Sequence, residues 1–309
     1  MHRLLFIGGA GFIGSNIVRK MAGKAHHVVV AEPEGANVSR LEGMDIPIYR
    51  CNLQDTQGVR EIMGKEHIDT VVHLVSTLIP GSAYEDYKKE YKNVIFPSIE
   101  LMEVCAKEDM KFVYFSSGGT IYGNRQTTMP FKESDPMAPI SYYGWSKQMM
   151  ENSILFMHRV MGLKYLILRP SNPYGHGQNL FGKQGLVAVA IGKILRGEPV
   201  EVWGDGSAVR DYIHIDDLAA IFEQLICKEV INTTLNVGSG RGYSVNDVLA
   251  FLKIVTKEDF KIVYKNPRPV DVSSMILDTE RLSRHASLSF APFMECIAQF
   301  YKESKDNWK

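Results

Sequence analysis

The sequence predicts an α/β fold built on a doubly wound parallel sheet, with a smaller mixed α/β lobe in the C-terminal part. In the first half of the chain, short apolar runs rich in valine, isoleucine and phenylalanine alternate with stretches of helical spacing. Such alternation is typical of a parallel sheet with helices on both faces. The first apolar run also leads directly into a glycine-rich turn and the first helical stretch. Together these observations predict the fold class.

The predicted strands follow one another along the first half of the chain. They lie at 4–7, 28–31, 48–51, 70–74, 112–116 and 165–168. Helical spacing begins after the first of them, at 12–21, and again near Tyr143. Beyond about residue 175 the chain becomes rich in loops, turns and prolines. We therefore predict one domain at 1–174 and a second lobe at 175–309, with a segment near 211–237 returning to the first sheet.

The glycines after the first strand predict a phosphate-binding turn. Gly8, Gly11 and Gly14 have the spacing GxxGxxG, and the helix that follows directs its positive N-terminal end at the turn. Glycine allows positive φ and lets a phosphate approach the backbone closely. Glu32, at the end of the second strand, is placed to accept hydrogen bonds from adenosine ribose hydroxyls. The pattern indicates a Rossmann-type dinucleotide site, although a GxGxxG motif alone is weak.

Composition limits the classes of partner. The 309 residues carry a formal net charge of zero, which gives no bulk attraction to nucleic acid or to an anionic membrane. No apolar stretch reaches the length of a membrane span, and no signal peptide is visible. The cysteines lie singly, so neither a metal site nor a disulfide framework is expected; they are Cys51, Cys105, Cys227 and Cys296. We expect a cytoplasmic protein with no nucleic-acid partner and no bound metal.

Tyr143 and Lys147 are the strongest catalytic candidates. Their YxxxK spacing places both side chains on one face of a predicted helix. A phenol is a poor base near neutral pH, but a neighbouring ammonium favours the phenolate, so the pair can exchange a proton with a hydroxyl. The serine-rich end of the strand at 112–116 lies shortly before them in the chain. Hydroxyls at such a strand end can hydrogen-bond a ligand, or cap the turn.

These motifs resemble those of the extended short-chain dehydrogenase/reductases, in particular the nucleotide-sugar 4-epimerase and dehydratase group. They follow the family's order and cover nearly the whole chain. The matching segments are Gly-Gly-Ala-Gly-Phe-Ile-Gly at 8–14, His-Leu at 73–74, Asn93, Ser-Ser…Tyr-Gly at 116–123, Tyr-Gly-x-Ser-Lys at 143–147, Leu-Arg-Pro-Ser-Asn-Pro-Tyr-Gly at 168–175, Gly-Asp-Gly-Ser-x-x-Arg-Asp at 204–211, Asn-Val-Gly at 236–238 and Arg-Pro-x-Asp at 268–271.

The resemblance implies NAD as cofactor, a nucleotide sugar as substrate and a homodimer paired through the helix at 147–161. The acid at Glu32 favours NAD over NADP, because it would repel a 2′-phosphate. The residues implied to bind the cofactor are Gly8, Gly11, Phe12, Ile13, Gly14, Glu32, Asn52, Leu53, Leu74, Val75, Ser76, Asn93, Ser116, Tyr143 and Lys147. Those implied to bind the substrate are Asn172, Glu201, Val202, Trp203, Arg210, Arg268 and Asp271, with the two arginines clamping the pyrophosphate.

The chain departs from the family at Gly118, where a serine or threonine normally completes the catalytic set with tyrosine and lysine. Ser117 and Thr120 flank this position, and either hydroxyl is a candidate replacement. Loss of one such hydrogen bond would cost roughly 1–3 kcal/mol of transition-state stabilisation. Relatives that dehydrate or decarboxylate the sugar carry carboxylates where this chain has Gly119 and Thr120. Elimination of water would therefore lack its acid and base.

The resulting hypothesis is an NAD-dependent 4-epimerase of a UDP-hexose or UDP-N-acetylhexosamine, with a transient 4-keto intermediate and a role in polysaccharide biosynthesis. One alternative is a one-way reductase of a nucleotide 4-ketosugar, which would consume NAD(P)H. The departure at Gly118 motivates a third hypothesis, a non-catalytic protein that binds NAD and a nucleotide sugar. Intact Tyr143, Lys147, Arg210 and Arg268 argue against it.

Overall fold

A computed structural model gives the fold of the chain. It describes residues 1–22, 24, 26–125, 129–267 and 272–308. The strands within these residues are β1 (Arg3–Ile7), β2 (His27–Glu32), β3 (Ile48–Arg50), β4 (Thr70–His73), β5 (Lys111–Phe115), β6 (Lys164–Pro170), β7 (Asn172–Tyr174), β8 (Val200–Trp203), β9 (Val209–His214), β10 (Thr233–Val237), β11 (Gly242–Ser244), β12 (Ile262–Lys265) and β13 (Ser274–Met275).

The helices are α1 (Phe12–Ala22), α2 (Thr56–Lys65), α3 (Tyr84–Glu90), α4 (Phe96–Lys107), α5 (Tyr142–Met161), α6 (Leu186–Leu195), α7 (Ile215–Cys227), α8 (Val245–Thr256), α9 (Glu280–Ser283) and α10 (Phe293–Asp306). A π-helical turn, Tyr91–Ile95, joins α3 to α4. In the described residues, no helix has both the length and the apolar character that a membrane span requires.

The large sheet confirms the predicted fold class. Its strand order is β10-β6-β5-β4-β1-β2-β3, and all neighbours run parallel. The order reverses at β1, whose neighbours are β4 on one side and β2 on the other. In open α/β sheets a ligand binds outside the carboxyl ends of the strands at such a switch point. The edge next to β6 is supplied by β10, from far along the chain.

Both faces of the large sheet are buried, which explains why its strands are continuous apolar runs. Along β1, Leu4 and Phe6 pack into the core that contains α1 and α7, while Leu5 and Ile7 pack into the core beneath α2, α4 and α5. Because successive side chains of a strand point to opposite faces, β1 contributes side chains to both cores. This rigid centre holds the loops at the carboxyl ends of the strands in place.

The remaining strands form two smaller sheets in the second half of the chain. One contains β11, β9 and β13 with β7 alongside β9, and the other pairs β12 with β8. Helices α6, α8 and α10 pack over them around a separate apolar core. Since β7 follows β6 after only one residue, this lobe begins directly at the carboxyl edge of the large sheet.

Helix α5 carries the catalytic candidates and has defined ends. Ser141 is its N-cap, with a side-chain oxygen that accepts a hydrogen bond from the Gly144 N–H at 3.1 Å. Gly162 ends it with φ +74°, the left-handed conformation that glycine adopts at little cost. The N-terminal turn of α5 is thereby held near the ends of β4 and β5.

Candidate functional site

The turn after β1, together with the start of α1, contains Gly8, Gly11 and Gly14 and is a concave loop, called here the cradle. Side chains at Gly8 and Gly14 would clash with neighbouring atoms. Gly8 has φ +82°, and a Cβ there would lie 3.0 Å from Val75 Cγ2. A Cβ on Gly14 would lie 2.7 Å from the Gly9 carbonyl oxygen, so the start of α1 could not pack against the turn. At Gly11, by contrast, the nearest atom would be 3.5 Å away. The turn therefore leaves room for a phosphate before the N-terminus of α1, and Phe12 and Ile13 begin that helix.

Glu32 lies at the end of β2 beside this turn. Its Oε1 accepts a hydrogen bond from the Ala10 N–H at 2.6 Å, and the side chain is buried. Burial raises the pKa of Glu32, opposed by the hydrogen bond from Ala10 and by the charge of Arg50. The carboxylate is thus fixed against the glycine turn, and its other oxygen is a candidate acceptor for a ribose hydroxyl.

The loop after β3 lies further along the same edge. Leu53 is buried in the core, whereas Asn52 is exposed and its side chain accepts a hydrogen bond from the Gln54 N–H. Asn93, in the π-helical turn, is exposed and accepts a hydrogen bond from Gln54 Nε2 at 3.0 Å. Asn93 and Asn52 therefore flank one loop, and both accept hydrogen bonds from Gln54.

The segment after β4 runs beside the glycine turn. The Leu74 N–H donates to the Ile7 carbonyl at 3.0 Å, and Val75 contacts the position of Gly8. Leu74, Val75 and Ser76 are all partly buried. Ser76 donates its hydroxyl proton to Glu90 at 2.9 Å. This segment forms the second wall of the switch-point crevice.

Lys147 lies under Tyr143 on α5. Its Nζ donates to the Phe115 carbonyl at 2.9 Å and lies 5.6 Å from the centre of the Tyr143 ring. Lys147 is buried, and burial lowers its pKa to about 8, while the charges of Glu90 and Glu151 oppose the shift. The lysine is thus held rigidly by the end of β5, with its positive charge close to the phenol.

The pKa of Tyr143 responds to burial and to the hydroxyl of Ser117. Burial raises the pKa of Tyr143, and the hydrogen bond from Ser117 lowers it. Thr120 Oγ1 in turn donates to Ser117 Oγ at 3.0 Å. The two hydroxyls that flank Gly118 are therefore hydrogen-bonded to each other, and the Ser117 hydroxyl acts on the pKa of Tyr143. Ser116 points elsewhere: it donates to Glu151 Oε1 at 2.5 Å and is buried.

Gly118 is a position where no side chain fits. A Cβ there would lie 2.5 Å from Leu277 Cδ1 and 2.9 Å from the Arg169 carbonyl oxygen. The Gly118 N–H donates to the Pro170 carbonyl at 2.8 Å, which fixes the backbone. Leu277 thus occupies the space that a serine or threonine side chain at position 118 would need. At Gly119 the nearest atom to a Cβ would be 3.7 Å away.

The substrate candidates lie on the smaller sheets. Asn172 Nδ2 donates to the Asp211 carbonyl at 2.8 Å, and Arg210, partly buried on β9, donates to the Val209 carbonyl. On β8 the side chains alternate: Val202 faces the core, while Glu201 and Trp203 face outward. An open groove of about 740 Å³, lined by residues 204–205 and 264–267, begins directly after Trp203. Arg268 and Asp271 lie outside the described residues.

Three buried acids near the site were not assigned roles from sequence. Asp211 is fully buried, and its carboxylate accepts hydrogen bonds from Ser239, Gly240 and Leu277. Burial raises the pKa of Asp211 to about 6, and these donors oppose the shift. Glu151 pairs with Arg169 at 2.6 Å, and Glu90 holds the segment after β4. In the sequence, Asp211 and Arg169 stand inside recognised motifs, but Glu90 stands in a charged run that suggests an exposed helix face.

Within the described ranges, no group of three or more histidine, cysteine or acidic side chains could hold a metal ion. The arrangement is suited to other chemistry: a dinucleotide cradle, an adjacent tyrosine with a lysine beneath it, and a hydroxyl chain. A ligand hydroxyl at Tyr143 could exchange its proton there.

Comparison with known proteins identifies relatives over nearly the whole chain. Residues 4–238 match the family model described as the NAD dependent epimerase/dehydratase family. A dTDP-4-dehydro-6-deoxyglucose reductase of Escherichia coli is 31% identical over 288 residues, covering 90% of this chain and 89% of the relative. The matched region includes the glycine turn, Tyr143 and Lys147.

Two solved structures share the fold closely. A UDP-glucose 4-epimerase from Thermotoga maritima, crystallised with UDP-glucose, has a TM-score of 0.91 at 32% identity and covers 99% of this chain and 100% of its own. The UDP-glucose 4-epimerase of Thermus thermophilus, in complex with NAD, has a TM-score of 0.89 at 28% identity, with coverage of 97% and 98%.

Proposed function

We propose that this chain, which belongs to the NAD-dependent epimerase/dehydratase family, is a nucleotide-sugar 4-epimerase that inverts C4 of a UDP-hexose or UDP-N-acetylhexosamine. The observation that carries the proposal is the placement of Tyr143 and the buried Lys147 on one face of α5 at the switch-point crevice, with Lys147 Nζ held by the Phe115 carbonyl at 2.9 Å and 5.6 Å from the centre of the Tyr143 ring. The epimerases from Thermotoga maritima and Thermus thermophilus share the fold and support the reaction class.

NAD is the cofactor of this family, and the residues present fit it. The space before Gly11 and α1 suits the pyrophosphate, because Cβ atoms at Gly8 and Gly14 would meet neighbouring atoms at 3.0 Å or less. Glu32 would hold the adenosine ribose, and the walls would come from Leu74, Val75 and Ser76. When bound, NAD supplies the reversible removal of a hydride from sugar C4.

Tyr143 would take the proton from the sugar O4 hydroxyl and later return it. The ammonium of Lys147, 5.6 Å from the centre of the Tyr143 ring, would stabilise the phenolate, and we propose that the Ser117 hydroxyl supports the same oxygen. Thr120 donates a hydrogen bond to Ser117. Through Ser117 it contributes indirectly to replacing the hydroxyl that Gly118 lacks. Proton transfer in both directions requires only these side chains, so the protein is unchanged at the end of a cycle.

Anchoring of the nucleotide would let the sugar turn between the two transfers. Arg210 and Arg268 are proposed to bind the pyrophosphate, with Asn172 near the phosphates and Asp271 at the nucleotide ribose. Glu201 and Trp203 face outward next to the groove and are proposed to line the base, with Val202 behind them. Arginine suits the clamp because its planar fork binds phosphate oxygens through two hydrogen bonds.

A second candidate is a reductase of a nucleotide 4-ketosugar. The reductase from Escherichia coli, at 31% identity, favours it. The same Tyr143 would then donate a proton to the sugar O4 in one direction only. Stoichiometric consumption of NADH or NADPH with a 4-keto substrate would distinguish this activity from epimerisation.

We propose a homodimer that forms through α4 and α5. Phe96, Phe156 and Val160 on these helices are each more than half exposed, at 53%, 52% and 57%. Burial of such side chains between two copies would be favourable. Sedimentation velocity of the wild type should report a dimer, and the F156E/V160E variant should sediment as a monomer. A monomeric wild type would rule the dimer out.

We place the protein in the cytoplasm, in keeping with four free cysteines.

Proton NMR tests the proposed activity. The purified protein is incubated in turn with UDP-glucose, UDP-galactose, UDP-GlcNAc and UDP-GalNAc, without added coenzyme. Conversion of one of them to its C4 epimer is expected, because the bound NAD is regenerated in each cycle. Absence of conversion for all four, with consumption of NADH on a 4-keto sugar, would replace the epimerase with the reductase.

A further inference from the structure

Glu90 is a buried carboxylate at the C-terminal end of α3. Its side chain is 2% exposed. One carboxylate oxygen accepts the Ser76 hydroxyl at 2.9 Å, and the other accepts the Thr77 N–H at 2.9 Å and the Thr77 hydroxyl at 2.5 Å. Three donors from one loop segment therefore fix this acid in place, and Ser76 is one of the residues proposed to face the cofactor.

The negative charge of Glu90 is not compensated by a contact. In the part of the chain that the structure describes, no lysine, arginine or histidine nitrogen lies within 4 Å of it. Glu151, the other buried acid near Lys147, differs because it forms a buried pair with Arg169. A charge that is buried and held only by neutral donors acts over a longer range than a paired one.

Helix α3 packs against α5, which carries Tyr143 and Lys147. The charge of Glu90 raises the pKa of Tyr143 in addition to the larger effect of burial, and it opposes the lowering of the Lys147 pKa by burial. Glu90 thus favours the protonated form of both members of the pair.

The other titratable groups that face the pair are neutral or neutralised. Burial lowers the pKa of His73, on β4, to about 3, and burial raises the pKa of Tyr114, on β5, well above its usual value. Glu151, on α5, is paired with Arg169. Among the described acids that act on Lys147, Glu90 therefore differs from Glu151 in that it has no ion-pair partner, and it also acts on Tyr143.

We propose that Glu90 is a positioning residue that, anchored by Ser76 and Thr77, keeps Lys147 charged and strengthens Tyr143 as the base that accepts the substrate proton. The inference rests on the proposed function, in which this pair moves the O4 proton. With Glu90, three ionisable groups act together at the site. The protonation of Tyr143 and Lys147 then depends on the segment of Ser76 and Thr77, which forms a wall of the cofactor crevice. Movement of that segment would change the position of the Glu90 charge.

The test is an ultraviolet titration of the Tyr143 phenolate in wild type and in E90Q, each corrected with its Y143F counterpart. The glutamine side chain is nearly isosteric with glutamate and can still accept from Thr77, so the fold is retained. The Tyr143 midpoint should then fall by about one pH unit when the Glu90 charge is removed.

Two variants serve as controls. E85Q removes an exposed carboxylate of the same helix, which pairs with Lys88, and should leave the midpoint unchanged. E90D retains the charge and should restore most of the wild-type midpoint. If E90Q does not fold, as judged by circular dichroism, E90M removes the charge without a buried amide and should give the same downward shift.

In the enzyme assay, the alkaline limb of kcat/KM should also move to lower pH in E90Q, because Lys147 loses its proton earlier. Tyr143 midpoints that coincide in wild type and the charge-free variant would overturn the proposal. Lower activity with an unmoved pH profile would do the same, since it would indicate a purely structural role. The titration needs no turnover, so it decides the role of Glu90 even if the epimerase proposal fails.

Discussion

Leu277 occupies the space that a side chain at Gly118 would need: a Cβ there would lie 2.5 Å from Leu277 Cδ1. The Leu277 N–H donates to the buried carboxylate of Asp211 at 3.3 Å, so the leucine backbone is held in position. The unusual glycine of the strand end and a leucine from far along the chain are therefore one packing unit. This relationship leaves no space for a hydroxyl-bearing side chain at 118, and Ser117 and Thr120 are the neighbouring hydroxyls that we propose act instead.

The packing of Gly118 against Leu277 can be measured as a coupling. G118S should destabilise the fold by about 1–3 kcal/mol through overpacking, and L277A by about 2–4 kcal/mol through the cavity that it leaves. In G118S/L277A the serine occupies part of that cavity, so the double variant should cost less than the sum of the two. Urea unfolding of the four proteins gives the coupling. Additive costs would show that the residues do not share this space.

The hydroxyl chain predicts graded effects on catalysis. S117A removes the hydrogen bond to Tyr143, so kcat should fall by about 10- to 100-fold. Because Ser117 lowers the Tyr143 pKa, the ultraviolet titration midpoint of the Tyr143 phenolate should move to higher pH in S117A. T120V acts through Ser117 only and should have the smaller effect on both. A larger loss in T120V than in S117A would make Thr120 the residue that contacts the substrate.

Acid stability should depend on His73. Burial lowers the pKa of His73 from 6.5 to about 3, so the folded state binds fewer protons than the unfolded chain between these values. The free energy of unfolding should then fall with decreasing pH from about 6.5, by up to about 1.4 kcal/mol per pH unit from this residue. Urea unfolding at several pH values should show that H73Q loses this part of the slope. An unchanged slope would mean that His73 is not buried neutral.

The position of Glu32 predicts coenzyme preference. Its carboxylate should accept a ribose hydroxyl and repel a 2′-phosphate, so NAD should bind at least about 10-fold more tightly than NADP. E32S should reduce that ratio, because the repulsion is removed. E34S, at an exposed neighbouring acid, is the matched control and should retain it. Calorimetric titration measures all three, and equal affinities in the wild type would contradict the assignment of Glu32.

The parts of the fold that sequence predicts well are those with strong local signals. The apolar runs predict β1 to β6, because strands that are buried on both sheet faces consist of continuous apolar residues. The glycine turn predicts the start of α1. Tyr143 and Lys147 were predicted from their spacing together with the glycine turn and the serine-rich strand end, and the structure places both of them on α5. The departure at Gly118 was also visible, but the leucine that accompanies it was not.

The missed residues depend on contacts between distant segments. Glu90 lies in a run of charges that includes the exposed Glu85 and Lys88, and only packing of α3 against α5 makes it a buried acid. Asp211 receives donors from Ser239 and Leu277, which no local pattern relates to it. Burial of a polar group is a tertiary property, so a single sequence carries no direct signal for it.

The central claim is that Tyr143 moves the O4 proton of a nucleotide sugar while NAD stays bound. The most direct test compares wild type with Y143F by proton NMR on the UDP-sugar that the wild type converts, with bound NAD quantified in both proteins. The account predicts C4 epimerisation by the wild type, and a Y143F protein that retains NAD but gives no detectable turnover. Turnover by Y143F close to the wild-type rate would contradict it.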